Sequence, residues 1–216
     1  MSSMFLSFPL AEDTPAYGGE TGKISFKRIR SISNGDTSNN LYISFPNHIG
    51  THIDFPFHFS NEGKSGDTYT ADFWLFNKVG LLVCPIEEIP EKIQTLPVDI
   101  EFLILKTGFG SKRAEQIYWS EQPVIPASYA GMLRQAFPNL RVFGFDMISL
   151  TSKLDRAEGK KAHIAFLLEH EILVVEDMKL NELYTTPMSV VISPLQIAGA
   201  DGAPCSIIAI NQKLWQ

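Results

Sequence analysis

The segment spanning residues 48–59 restricts the fold of this chain more strongly than any other part of the sequence. It reads His-Ile-Gly-Thr-His-Ile-Asp-Phe-Pro-Phe-His-Phe. A regular helix is disfavoured there, because Gly50 and Pro56 both destabilise helix interiors. We therefore expect an extended strand, in which side chains two residues apart point to the same face.

On such a strand, one face carries the metal-competent side chains of His48, His52, Asp54 and His58. Histidine is the commonest metal-binding side chain, and imidazole suits zinc, iron and manganese. Two imidazoles and a carboxylate can form a triad that leaves coordination positions open for water and substrate. The alternative is an exposed strand with incidental polar residues. Four suitable side chains in register favour the metal site.

The rest of the chain shows strand patterns first, with helical patterns interleaved in the second half. Segments rich in Val, Ile and Phe between turn signals predict strands; they cover residues 24–30, 41–45, 78–85, 102–106, 142–145, 172–175, 190–192 and 206–211. Helices are predicted over 128–136, between prolines, and over 157–171, where apolar residues recur at helical spacing. Short helical turns are expected at 86–89 and 110–117. This order favours a mixed α/β fold around a central mixed sheet or distorted barrel.

A second group of candidate ligands lies further along the chain. His163 falls on the predicted helix 157–171, and Glu176 directly follows the predicted strand 172–175. Glu176 could point into a pocket at the end of that strand and help to hold a second ion; a solvated carboxylate at a strand exit is the alternative. His170 is more typical of a surface or interface position.

Composition narrows the class of protein. With 216 residues, 44% of them hydrophobic, we expect one folded domain over 1–216. A net charge of −6 argues against a nucleic-acid partner. The sequence contains no apolar run of about 18 residues and no signal-peptide pattern, which argues against a membrane partner. Cys84 and Cys205 stand in apolar surroundings and are expected to be buried free thiols, so the default location is the cytoplasm.

The pattern His-x-Gly-Thr-His-x-Asp-x-Pro-x-His-Phe is highly specific, and weaker matches accompany it in a consistent order. They lie at residues 6–10, 14–17, 103–109, 143–149, 163–178 and 202–204. Together these segments resemble the cyclase-like amidohydrolases that include bacterial kynurenine formamidase and isatin hydrolase. The resemblance implies a swivelling β/α fold with the site near a subunit interface, in a homodimer or homotetramer.

The resemblance also implies roles for individual residues. His48, His52 and Asp54 would bind a first divalent ion, zinc or manganese. Asp54 and Glu176 would bridge to a second ion that His163 also binds.

In the same family pattern, His58 would donate and accept protons, and Tyr17 falls where formamidases have a substrate-stacking Trp. Two departures stand out. The interval from His163 to Glu176 is one residue longer than is usual in the family, and Ser206 replaces the Arg of the closing motif.

We therefore expect a metal-dependent hydrolase that cleaves a C–N amide bond, in an aryl formamide or a cyclic amide, by metal-activated water. The substrate would be a small molecule, aromatic or cyclic. Two alternatives remain open: a cyclase acting on polyketide or lactone substrates, and a non-catalytic metal-binding protein of the same fold.

Overall fold

The structure is a computed structural model that describes residues 2–211. The strands in this range are β1 Ser3–Phe5, β2 Ser25–Arg30, β3 Asn40–Ser44, β4 His52–Asp54, β5 Leu75–Phe76, β6 Val79–Val83, β7 Phe102–Lys106, β8 Val142–Phe145, β9 Leu173–Glu176, β10 Ser189–Pro194 and β11 Gly202–Ile210. The α-helices are α1 Ile89–Lys92, α2 Ile117–Ser120, α3 Ser128–Ala136 and α4 Arg156–Ile164, and a π-helix over Ala165–Glu169 continues α4. Among the described residues, no helix is both long and apolar enough to cross a membrane.

One mixed sheet organises the molecule. Its strand order is β5-β10-β11-β4-β9-β8-β7-β6, with β1 also paired to β11. Strands β6 to β9 run parallel, and β4, β10, β11, β5 and β1 join antiparallel to their neighbours. The sheet is nearly closed and barrel-like, which confirms the predicted mixed α/β class.

The parallel half of the sheet forms the core because its connections lay helices over it. Strands β8 and β9 are buried along their whole length, as expected for parallel strands that are covered on both faces. The ring of Phe166, from the π-helix, stacks on Phe143 of β8 with ring centroids 5.4 Å apart. This packing anchors the helix that carries His163 against the strand next to β9.

Strands β2 and β3 form a separate two-stranded sheet. Almost every residue of this hairpin is exposed, including Ile29, Tyr42 and Ile43. An isolated two-stranded hairpin is marginally stable in water. Because its side chains are mostly exposed, the hairpin gains little stability from packing against the rest of this chain.

The expectation of one extended strand over residues 48–58 is wrong in its local geometry. Gly50 has φ +60°, in the left-handed region, and interrupts the extended chain before His52. Only His52–Asp54 pair as a strand, and Pro56–His58 form a 3-10 turn. Proline favours this turn because its fixed φ suits a first helical position. His48 and His58 thus reach the site from turns on either side of β4.

Candidate metal centre

The candidate site is built on β4, which lies between β9 and β11. In the sheet register, His52 faces Glu176 of β9, and Asp54 faces Gly202 of β11. The side chains of His52 and Asp54 point to the same face because they are two residues apart on the strand. Glu176 is the last residue of β9 and lies beside these side chains, as the sequence suggested for a residue at the end of this strand.

Two buried carboxylates form the centre of the site. Asp54 Oδ1 lies 2.8 Å from His48 Nδ1 and 3.5 Å from His52 Nε2, and Asp54 Oδ2 lies 3.3 Å from His163 Nε2. Glu176 Oε2 lies 3.4 Å from His52 Nε2, and its Oε1 lies 3.4 Å from His163 Nε2. The structure therefore brings all five predicted ligand residues together. Side-chain atoms of His52, Asp54 and Glu176 lie within 4.8 Å of one another, as do those of His48, Asp54 and His58.

Backbone carbonyls orient two of the imidazole rings. His52 Nδ1 donates to Gly50 O over 2.8 Å, and His163 Nδ1 donates to Gly159 O over 2.9 Å. With Nδ1 committed to a carbonyl, the Nε2 atom of each ring is left to face the carboxylates. Metal-ligating histidines are commonly held in this way, by a hydrogen bond from the other ring nitrogen.

The longer interval between His163 and Glu176 is accommodated by the π-helix. Its hydrogen bond runs from His170 N to Ala165 O, over five residues instead of four. A π-turn takes up one more residue than an α-turn, and such turns often occur at functional sites. Glu171, with φ +50°, then reverses the chain into β9. The extra residue is thus absorbed before the strand begins, and Glu176 still meets His163.

The buried charges shift one another's pKa values. Burial raises the pKa of Asp54, but contacts with His163 and His48 hold it well below its ordinary value. Burial lowers the pKa of His48, but the Asp54 and Asp201 carboxylates raise it to about 9. In the same way Asp54 and Glu176 raise the pKa of His163 to about 10 against the effect of burial. Without a cation, both imidazoles are therefore in the positively charged form at neutral pH, and a cation must displace the proton from the nitrogen that it binds.

A cavity of about 270 Å³ opens over these side chains. His58, Phe59 and Tyr17 all line it. Tyr17 begins a 3-10 turn whose Gly18 O accepts a hydrogen bond from Lys153 Nζ over 2.8 Å. His170, by contrast, is absent from the lining of this cavity and contributes its backbone carbonyl to Arg134.

The structure adds site residues that the sequence reasoning missed. Leu150 N and Ser149 Oγ donate to Glu176 Oε1, and Thr151 Oγ1 lies 3.2 Å from His163 Nδ1. Asp201 contacts both His48 and His58. The position of Asp201 directly before the Gly202-Ala203-Pro204 motif was the available signal for it.

Gly202 permits close packing of His48. A Cβ added at Gly202 would stand 2.8 Å from both His48 ring nitrogens and closer still to Cε1. Only a glycine lets this imidazole lie directly against the backbone of β11.

A polar cluster supports the exit of β9. Asp177 is 1% exposed, and its carboxylate accepts hydrogen bonds from Arg113 and from Tyr118 Oη. The Asp177 backbone carbonyl also accepts a bond from Thr51 Oγ1 over 2.6 Å. These bonds tie the chain after Glu176 to the turn before β4.

Comparison with known proteins identifies the family. Residues 4–152, more than half of the chain, match the model of the family described as "Putative cyclase". The chain belongs to this cyclase family. The resemblance noted in the sequence is thereby confirmed.

Relatives of this cyclase family member carry several names. It is similar to a kynurenine formamidase of Bacillus mycoides (strain KBAB4), with 28% identity over 201 residues that cover 92% of each protein. It is also similar to Cyclase-like protein 3 of Oryza sativa subsp. japonica, with 27% identity over 93% of this chain and 76% of that protein.

Among solved structures, the cyclase fold is shared with isatin hydrolase A from Labrenzia aggregata bound to benzyl benzoate. The TM-score is 0.82 at 18% identity, covering 97% of this chain and 94% of the other. A second structure, described as a predicted metal-dependent hydrolase from Bacillus stearothermophilus, has a TM-score of 0.72 at 21% identity, covering 97% and 98%.

Proposed function

We propose that the chain, as one domain over 1–216, is a metal-dependent hydrolase that cleaves a C–N amide bond in an aryl formamide or a cyclic amide. The observation that carries the proposal is the convergence of three imidazoles and two buried carboxylates beneath an open cavity. The names of the kynurenine formamidase and isatin hydrolase relatives support the reaction class.

The donor set fits a divalent cation. Four carboxylate oxygens and three imidazoles, with two rings oriented by backbone carbonyls, are typical of zinc or manganese sites. Neither cysteine belongs to the set: both are buried free thiols, as predicted, and burial raises the pKa of Cys205 well above its ordinary value. His48, His52 and Asp54 would hold one ion, and Asp54, His163 and Glu176 a second.

A divalent ion at such a site polarises a carbonyl oxygen and lowers the pKa of bound water from about 15.7 to roughly 7. Water adds to the carbonyl carbon, and the C–N bond then breaks. We assign His58 to accept the proton of that water and to deliver it to the leaving nitrogen. Its ring lines the cavity at the edge of the ligand set, as this role requires.

The aromatic residues that line the cavity favour a flat substrate. Tyr17 is 39% exposed and lines the cavity together with Phe59, so two aromatic rings are available to an aromatic acyl or amine group. Tyr17 would be the substrate-stacking residue. The aromatic walls and the relatives' names support this substrate class.

Turnover and metal content test the proposal together. The purified protein should retain zinc or manganese by elemental analysis and should hydrolyse N-formylkynurenine or isatin. His58→Ala should keep the metal and lose about 10²–10⁴-fold in turnover, the usual contribution of general acid–base catalysis. His170→Ala, a histidine outside the cavity, is the matched control and should behave as wild type. A His58→Ala protein with full activity contradicts the assigned role.

A second candidate is a lactone or polyketide cyclase. The plant relatives are named cyclase-like, and the isatin hydrolase structure holds an ester, benzyl benzoate. A panel that includes lactones separates the two reactions. A protein that binds metal but turns over no member of the panel would favour the third alternative, a non-catalytic metal-binding protein.

We also propose that the chain forms a homodimer or homotetramer through the β2–β3 hairpin. The hairpin exposes apolar side chains and carries Lys27, Arg28 and Arg30, whereas the whole chain has a net charge of −6. The positive charge of the hairpin is complementary to the net negative charge of a second copy, whose surface would stabilise the hairpin. Light scattering should show a dimer or tetramer that Leu41→Arg dissociates; a monomeric wild type refutes this arrangement.

The two free cysteines support a cytoplasmic location.

A further inference from the structure

Asp201, which immediately precedes β11, lies outside the proposed ligand set but touches two of the site histidines. Its Oδ2 atom is 2.9 Å from His58 Nδ1 and 3.0 Å from His48 Nε2. Its Oδ1 atom accepts a hydrogen bond from Asn47 Nδ2 over 2.5 Å. Both carboxylate oxygens are therefore engaged by donors from the turn before β4 and from the turn after it.

The contact with Asp201 selects the tautomer of a neutral His58 ring. A carboxylate oxygen can only accept, so the ring nitrogen that faces it carries the proton. In a neutral His58 ring, a proton on Nδ1 leaves Nε2 as the basic nitrogen. Both nitrogens of His48 face carboxylates, Nδ1 that of Asp54 and Nε2 that of Asp201; a cation bound at Nδ1 would leave the proton on Nε2.

The two rings are also held at a fixed spacing. The His48 and His58 centroids are 4.0 Å apart with an interplanar angle of 29°, and a single oxygen atom accepts from both. A displacement of Asp201 would therefore move both the proton-transfer group and a ligand.

We propose that Asp201 is a positioning residue that holds His58 in the Nδ1-protonated tautomer and couples its orientation to that of His48. This inference rests on the proposed function, because it gives His58 its place in proton transfer. Asp201 is assigned to neither ion and is absent from the lining of the cavity.

The test is Asp201→Asn, a substitution that preserves shape and removes one acceptor oxygen. An amide has one oxygen for the three facing donors, so its NH₂ group must oppose either Asn47 or the two histidines. In the zinc-loaded protein with saturating zinc, kcat should fall by about 10²-fold or more while KM changes little. Asp72→Asn removes an exposed carboxylate outside the site and should leave both constants unchanged.

Two further measurements separate positioning from a general structural effect. In the His58→Ala background, Asp201→Asn should reduce kcat by less than about twofold, because residues that act as a unit are not additive. In nitrogen-15 spectra of the zinc-loaded protein, recorded at a pH where the ring is neutral, wild-type His58 should show its proton on Nδ1. The Asp201→Asn variant should lose this preference.

The outcomes are distinct. An Nε2-protonated His58 in the wild type overturns the inference, whether or not a substrate has been found. So does an equal loss of kcat with and without His58, or full recovery of the Asp201→Asn variant by excess zinc alone. If His58→Ala is fully active, the proposed role of His58 fails; if only Asp201→Asn is fully active, the proposed function stands and the inference falls.

Discussion

Replacing Gly202 by Ala tests whether the backbone of β11 makes room for a metal ligand. Gly202 has ordinary extended backbone, so alanine adds no conformational strain and only the new Cβ matters. That Cβ would lie 2.8 Å from His48 Nδ1 and Nε2, whereas ordinary contacts begin at 3.4 Å. Because Cε1 would be closer still, the ring must shift by more than 0.6 Å, on the order of 1 Å, and its contacts with Asp54 and Asp201 shift with it.

The expected loss follows from that displacement. Disturbing the groups that orient a ligand typically costs about 10–100-fold in metal affinity. A misplacement of about 1 Å can cost about 10²-fold in rate. We expect Gly202→Ala to bind zinc about 10–100-fold more weakly and to lose turnover to a similar extent at limiting zinc.

Calorimetric titration of the metal-free protein with zinc measures the affinity, and thermal unfolding of the same sample checks that the variant folds. Ser206→Ala is a suitable control, because it alters an exposed side chain on the same strand that is absent from the cavity lining. Wild-type zinc affinity and turnover in Gly202→Ala would refute the claim that glycine is needed beside His48.

Three further predictions concern the charges of the site and its support. Asp54→Asn should abolish zinc retention in elemental analysis, because Asp54 is assigned to both ions and its two oxygens contact His48 and His163, one ligand of each. Zinc affinity should rise with pH up to about 10, because the cation displaces protons from His48, with a pKa of about 9, and His163, with a pKa of about 10. Calorimetry in buffers of different ionisation heat should show proton release, and a pH-independent affinity contradicts the assignment. Arg113→Ala should lower the free energy of unfolding by about 3–5 kcal/mol in denaturant titrations, because the buried Asp177 carboxylate loses its charged partner. Adding Asp177→Asn to that variant should recover part of the loss.

Local signals predicted the regular elements well where they were strong. Helix α3 has the predicted bounds because Pro126 and Pro138 enclose it. Strands β7 and β8 also match, since each is a short apolar run that the sheet buries. The short strands β1 and β5 were missed, because pairing with β11 and β10 defines them and no periodicity marks them.

The chemical character of the site was readable from residue types and spacing alone. Three histidines and an aspartate within eleven positions indicate metal ligands whatever the backbone path, and here that path differs from the predicted strand. Gly50 and Pro56 excluded a helix, but the turns they induce have several possible directions, and packing selects one.

Convergence of the distant residues depended on the tertiary structure. Glu176 reaches Asp54 and His52 because β9 pairs with β4, and His163 reaches both carboxylates because a π-turn absorbs one residue before β9. Asp201 meets His58 across 143 positions of sequence. No local preference encodes such contacts, since strand pairing and helix packing are settled by the burial of apolar surface over the whole sheet.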